Sequence, residues 1–297
     1  MSAPGLPCLH LHLDGSLRPS TVCELAEALG LDVPADLPFQ PGMGLSAALA
    51  RFAFTLRLLQ TPAAVRRVAS EIVDDAVADG VTTLEVRFAP QLHGGPLEDI
   101  VDAALDGLDG RAGLILCALY GEDPAVAEAL VDVARDRPRV VGLDLAGGPT
   151  PGARFGLADH ARAFARAEQI GLGRTVHAGE GRPPAEIAAA IHLLRANRIG
   201  HGTTVLDDPA VLDLVLTNNV TIEACLTSNW HVGAIPSIGA HPLAQWLSLG
   251  VRVCVNPDNT LLSAVSASEE HKRAEALVGA QGIAAVVGHG HAAAFVR

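Results

Sequence analysis

The 297-residue chain is 49% hydrophobic and 18% charged, with a mean hydropathy of +0.31. This is enough apolar material to close one large core, and it excludes a solvated disordered chain. Its formal net charge of -12 repels polyanions and so argues against a nucleic-acid partner. No uncharged apolar run reaches the roughly 20 residues of a membrane-spanning helix, so no membrane association is expected. The five cysteines form no C-x-x-C pair, which suits free thiols in a reducing compartment. The N-terminal segment lacks the basic start and apolar stretch of a leader. One cytoplasmic domain over 1–297 is the expectation.

Along the chain, short apolar or β-branched runs bounded by Gly, Pro and Asp alternate with longer stretches of helical period, the pattern of parallel βα units. Eight such runs occur: Leu9–Leu13, Thr83–Phe88, Gly113–Leu119, Val140–Leu145, Arg174–His177, Arg198–Gly200, Thr221–Cys225 and Arg252–Val255. Helical stretches lie near 62–79, 97–109, 124–136, 157–170, 184–195, 208–217, 241–249 and 267–279. Eight strands, each followed by a helix, predict an α/β fold, a single closed (β/α)8 TIM barrel. Two further helical segments, 19–29 and 45–59, fall between strands one and two, where they would cover the barrel mouth.

A barrel brings the C-terminal ends of its strands to one site, and polar residues gather where these runs stop. The first run ends His10-Leu11-His12-Leu13-Asp14, and the strand period of two puts the three polar groups on one face. In isolation such a histidine pair is equally well explained as core imidazoles satisfied by backbone. The fifth run delivers His177 and Glu180, the sixth His201, and the eighth Asp258 and Asn259. A lone acid in the position of Asp258 is ordinarily a helix cap or turn former; together on one rim these residues form a metal site. Three imidazoles and a carboxylate leave an open position for water on one zinc ion, the mark of a catalytic site. Iron or cobalt suits the same donors. The only lysine, Lys272, lies far from any strand end and cannot bridge two metals, which makes the site mononuclear. Glu180 and His201 remain as candidate acid and base.

These residues sit in motifs that resemble the adenosine deaminase family of the amidohydrolase superfamily: LHLHLDGSL (9–17), LEVRFAP (84–90), GLDLAG (142–147), VHAGE (176–180), RIGHGT (198–203), CLTSN (225–229), AHPL (240–243) and VNPDN (255–259). The resemblance implies one Zn2+ per chain on His10, His12, His177 and Asp258, with Asp258 also counted among the catalytic groups. It further implies that Glu180 protonates purine N1 while His201 orients and deprotonates water for attack at C6, releasing ammonia. Gly147 would offer its N–H to N3, and Asp14 would bind the ribose 5′-hydroxyl together with His12. Members acting on the free base carry Glu in place of Asp14, so the expected partner is a small-molecule purine nucleoside. Asn259 can donate to N7 through its amide, and Leu49 and Phe52 match an apolar lid over the ribose.

The chain departs from the family pattern at Gly148-Pro149, where acidic residues are usual, and at Leu6-Pro7-Cys8, where Lys and Glu are usual. After strand eight only one solid helix and a Gly/His/Ala tail are expected. His93 and His231 are expected to be solvent-exposed loop residues, His289 and His291 to have no site role, Asp144 to be structural, and Asp207-Asp208 to start a helix. A modified nucleoside or free adenine is an alternative substrate. A catalytically inactive purine-binding barrel is the alternative of another class, disfavoured because all ligands and both proton-transfer residues are present. The sequence leaves the oligomeric state open.

Overall fold

Parallel neighbours need a crossover between them, and in this chain helices supply it. The computed structural model describes residues 5–149 and 152–296. Its strands are β1 (Leu6–His12), β2 (Val81–Phe88), β3 (Gly113–Leu119), β4 (Val140–Ala146), β5 (Gly173–Ala178), β6 (Arg198–His201), β7 (Thr221–Ala224) and β8 (Arg252–Val255). They form one sheet in the order of the chain, every neighbouring pair parallel. The seam between β8 and β1 is mended by residues just past β8. Asn256 Oδ1 accepts the N–H groups of Leu9 and His10 at 2.7 and 3.2 Å. Above it, His12 N–H donates to the Asp258 carbonyl at 2.8 Å and Asp258 N–H to the His10 carbonyl at 3.2 Å. The expected eight-stranded barrel is thereby brought nearly to closure.

The helices are α1 (Pro19–Leu29), α2 (Leu45–Leu58), α3 (Pro62–Ala78), α4 (Leu97–Leu108), α5 (Pro124–Ala134), α6 (Ala161–Gln169), α7 (Ala185–Leu194), α8 (Pro209–Thr217), α9 (Leu226–His231), α10 (Leu243–Ser248) and α11 (Ala267–Ala293). Local chemistry sets their ends. Asp208 accepts Ala210 N–H at 2.9 Å at the start of α8, as its place before Pro209 predicts. Ser266 and Glu269 form a capping box on α11. Strand residues such as Leu114, Ile115 and Leu116 are fully buried, because a parallel sheet is covered on one face by helices and filled on the other by side chains. No helix among the described residues is long and apolar enough to cross a membrane.

Four local differences from the sequence reading have physical causes. The first strand begins at Leu6, although Pro7 cannot donate to the ladder; the β1–β2 register shifts between these two residues. The CLTSN segment turns helical at once as α9. Between 157 and 160 the chain is a 3-10 turn leading into α6. The Gly/His/Ala tail continues α11 past a break at Gly279, where φ is 70°, and is held by tertiary contacts. There His291 bonds Thr83 Oγ1 and the Gly5 carbonyl, both at 2.8 Å, and His289 Nδ1 accepts Val253 N–H.

Candidate active site

The alternation of β1 points His10 and His12 into the barrel mouth, where His177 and Asp258 meet them. His12 Nε2 lies 3.3 Å from His10 Nε2 and 3.2 Å from His177 Nε2. Asp258 Oδ1 lies 3.3 Å from His10 Nε2 and 3.4 Å from His12 Nε2. Tetrahedral zinc with bonds of 2.0–2.1 Å would set its ligands about 3.3 Å apart, so these spacings fit one such ion. The tautomers agree. His10 Nδ1 faces Glu223 Oε2 at 2.7 Å and His177 Nδ1 faces Asp144 Oδ1 at 3.2 Å. Each carboxylate takes an Nδ1–H and leaves an Nε2 lone pair turned toward the cluster, an arrangement of facing acceptors that calls for a cation. Burial opposes ionisation of Asp258, but the surrounding imidazoles hold its carboxyl well below the usual range. Cys225 lies close to His201 and Asp258, and burial pushes its thiol far up in the metal-free protein.

Below the cluster runs a layer of buried charge. Arg87 bonds Asp144 at 2.8 Å, Glu223 at 2.9 Å and the Leu9 carbonyl at 2.6 Å. Thr175 donates to Glu223 Oε1 at 3.0 Å, and Arg198 Nε makes an ion contact with the same oxygen at 2.6 Å. One guanidinium thus joins the two carboxylates that orient His10 and His177. Asp144 has the structural place expected of it. Arg87 and Glu223 were not singled out by the sequence reading, although charged residues alternating within apolar strands were a usable signal.

Glu180 and His201 face each other across the mouth, Oε1 to Nδ1, at 3.3 Å. Asn229 Nδ2 reaches both, at 3.2 Å from Glu180 Oε1 and 2.9 Å from His201 Nδ1. In sequence Asn229 stands in the CLTSN motif with no role of its own, because nothing local marks the short helix α9 that carries it over the mouth. Burial pushes the Glu180 carboxyl up to about 7 and drives the His201 imidazole well below its ordinary range. The pair therefore divides into a protonated acid and a neutral base near neutrality. His201 and Asp258 both sit at left-handed φ, 68° and 64°, a cost of roughly 1–3 kcal/mol each that non-glycine residues bear chiefly at functional positions.

The pocket at this mouth is lined by His12, Leu49, Phe52, Gly147, His177, Glu180, His201, Asp258 and Asn259. Asp14, buried, lines the adjoining chamber. Of the site residues expected from sequence, all but the fully buried His10 line these two spaces, which share His12, Leu49, Phe52 and Gly147. Gly15 is required by space: a Cβ there would come within 1.9 Å of Asn259 Oδ1. Gly148 packs against Leu45 and Arg182, which a Cβ would approach to 2.9 and 3.0 Å, so a side chain at this departure from the family pattern would displace one of them. The expectation of exposed His93 and His231 is corrected: both are 7% exposed. His93 bonds the Leu59 carbonyl at 2.8 Å beneath the end of α2, and His231 stacks on Trp230; neither lines the site.

A family model described as adenosine deaminase matches residues 6–295. The adenosine deaminase of Enterococcus faecalis is 35% identical over 282 residues, covering 88% of this chain and 82% of that protein. A probable adenosine deaminase of Dictyostelium discoideum is 35% identical over 287 residues, 90% of this chain, but the chain spans 37% of that longer protein. Among solved structures, the adenine deaminase of Arthrobacter aurescens superposes with a TM-score of 0.89 at 25% identity, covering 99% of this chain and 95% of that one.

Proposed function

The chain belongs to the adenosine deaminase family, hydrolases acting on C–N bonds of cyclic amidines, and from that premise we propose that it replaces the 6-amino group of an adenosine-like purine nucleoside with oxygen, releasing ammonia. Its single barrel domain would hold one zinc ion on His10, His12, His177 and Asp258. When bound, the ion supplies Lewis acidity that makes water nucleophilic near neutral pH.

The protein's own groups do the rest. Glu180, protonated, donates to purine N1 and draws electron density from C6. His201 takes a proton from the attacking water, whose oxygen adds to C6, and passes that proton to the amino group; the C–N bond then breaks to release ammonia while the hydroxyl proton returns to Glu180 as the C6 carbonyl forms. Asn229 holds acid and base at a fixed separation. The N–H of Gly147 meets N3, the Asn259 amide donates to N7, and Asp14 accepts a sugar hydroxyl while Leu49 and Phe52 exclude water above it. The observation that carries this reading is the pairing of a buried acid and a buried neutral imidazole beside three imidazole nitrogens and a carboxylate. Glu180→Gln should leave metal content unchanged and lower turnover of adenosine about 10²-fold or more. Full activity in the zinc-loaded variant, or release of no ammonia by the wild type from any 6-aminopurine, would overturn it. Free adenine is the second reading, favoured by the Arthrobacter neighbour; Asp14 in the place of the glutamate typical of free-base members argues for the nucleoside.

A further inference from the structure

Past Gly147 the pocket opens into a second chamber of about 250 Å³ whose walls do not match a bare ribose. Leu49, Phe52 and Leu56 of α2, together with Leu92, Leu119 and Ala146, line it. Leu49 and Leu92, on separate elements, are 40% and 37% exposed, so apolar surface on both awaits cover. The polar groups of the chamber are few and mostly engaged. Tyr120 donates to the His177 carbonyl at 2.8 Å, the Cys117 thiol leans on Asp144, and His12 belongs to the metal cluster. That leaves Asp14, whose Oδ1 is buried without a partner, to accept sugar hydroxyls on its two carboxylate oxygens. A ribose brings three, and each hydroxyl buried without a partner is penalised. Among the described residues, no lysine or arginine lines the chamber. Arg182, behind Tyr120, is held by Glu186 at 2.7 Å and the His177 carbonyl at 3.1 Å. Its Nη1 is without a partner, which makes a 5′-phosphate the rival occupant, yet such an anion would have to enter beside Asp14 across leucine walls.

We infer that the chamber takes a 6-aminopurine nucleoside whose 5′ carbon carries an uncharged apolar group, with its two remaining sugar hydroxyls donated to Asp14. This rests on the deaminase reading above and narrows its substrate class. Apolar fill of a matched pocket is worth about tenfold or more in kcat/KM for each methylene-sized group.

The test uses the zinc-loaded full-length protein and compares kcat/KM for adenosine, 5′-deoxyadenosine, 5′-methylthioadenosine and AMP by ammonia release. The expected order places 5′-methylthioadenosine about tenfold or more above adenosine, with AMP last. A smaller advantage, or AMP ahead of adenosine, overturns the inference while leaving the deaminase reading intact. Absence of turnover on the whole panel overturns that reading and this inference with it. Leu92→Ser, checked for an unchanged melting temperature, should reduce the ratio of 5′-methylthioadenosine to adenosine by about threefold or more; an unaltered ratio counts against the chamber as the seat of the 5′ group.

Discussion

Glu223→Gln tests whether the buried charge layer sets up the metal site. Three donors bond the carboxylate, His10 Nδ1 at 2.7 Å and Arg87 at 2.9 Å on Oε2 and Thr175 at 3.0 Å on Oε1, and Arg198 Nε makes an ion contact with Oε1 at 2.6 Å. An amide of the same shape must turn its NH2 to one side: toward Oε2 it strands the donors of His10 and Arg87, and toward Oε1 it takes the charged partner from Arg198 while the Thr175 hydroxyl turns to accept. At about 1–3 kcal/mol for each buried group left unsatisfied, the expected loss of stability is about 1–6 kcal/mol. For a chain of this size, at about 2 °C per kcal/mol, that corresponds to a fall in melting temperature of roughly 2–12 °C. Weakening the hold on the Nδ1–H of His10 should also cost about 10–100-fold in zinc affinity. Thermal unfolding of the metal-free protein reads the first effect, and competition with a chromophoric chelator reads the second. A variant that melts within about 1 °C of wild type and binds zinc within about twofold would refute the assignment of Glu223 as the group that orients His10.

Three further outcomes follow from the same geometry. Burial pushes the Glu180 carboxyl up to about 7; the acid form that donates to N1 is present below that pH and lost above it. The kcat/KM profile should therefore fall by about tenfold per pH unit on its alkaline limb, and a flat profile from pH 7 to 9 would contradict the role. Gly15→Ala should push the Asn259 amide out of place, since the added carbon would sit 1.9 Å from its oxygen; a lowered kcat/KM with zinc content retained is expected, and wild-type kinetics would show that the amide does not touch the purine. Stripping the metal with a chelator should lower the melting temperature measured by calorimetry, because an ion bound only by the native state adds about 4 kcal/mol at a thousandfold excess over its Kd. An identical melt with and without zinc would remove the metal from His10, His12, His177 and Asp258.

Much of this site can be read along the chain because its ligands ride on strand ends, where a period of two and a stop at Gly, Pro or Asp are local signals. His10 and His12 share a face for that reason alone, and the count of eight βα units places His177, His201 and Asp258 on the same rim. Other features depend on partners remote in sequence. Arg87 joins Asp144 to Glu223 across the barrel, so neither its burial nor its service to two histidines is visible in LEVRFAP. Asn229 reaches Glu180 and His201 only because CLTSN folds into a short helix over the mouth. His93 and His231 sit in loop-like sequence and are buried by elements that pack over them. The C-terminal histidines have the spacing of a metal motif but no further ligand type near them in sequence, and in the structure they anchor α11 through Thr83, Gly5 and Val253.

By itself the sequence determined the barrel, the candidate donor set and the acid–base candidates, since periodicity and residue type are properties of short segments. The tertiary structure alone decided which carboxylate holds which imidazole, how far acid stands from base, and that the chamber beyond Gly147 is walled by leucines drawn from separate elements. Those are distances between residues far apart in the chain, set by the closure of the barrel and by the packing of α2 over its mouth.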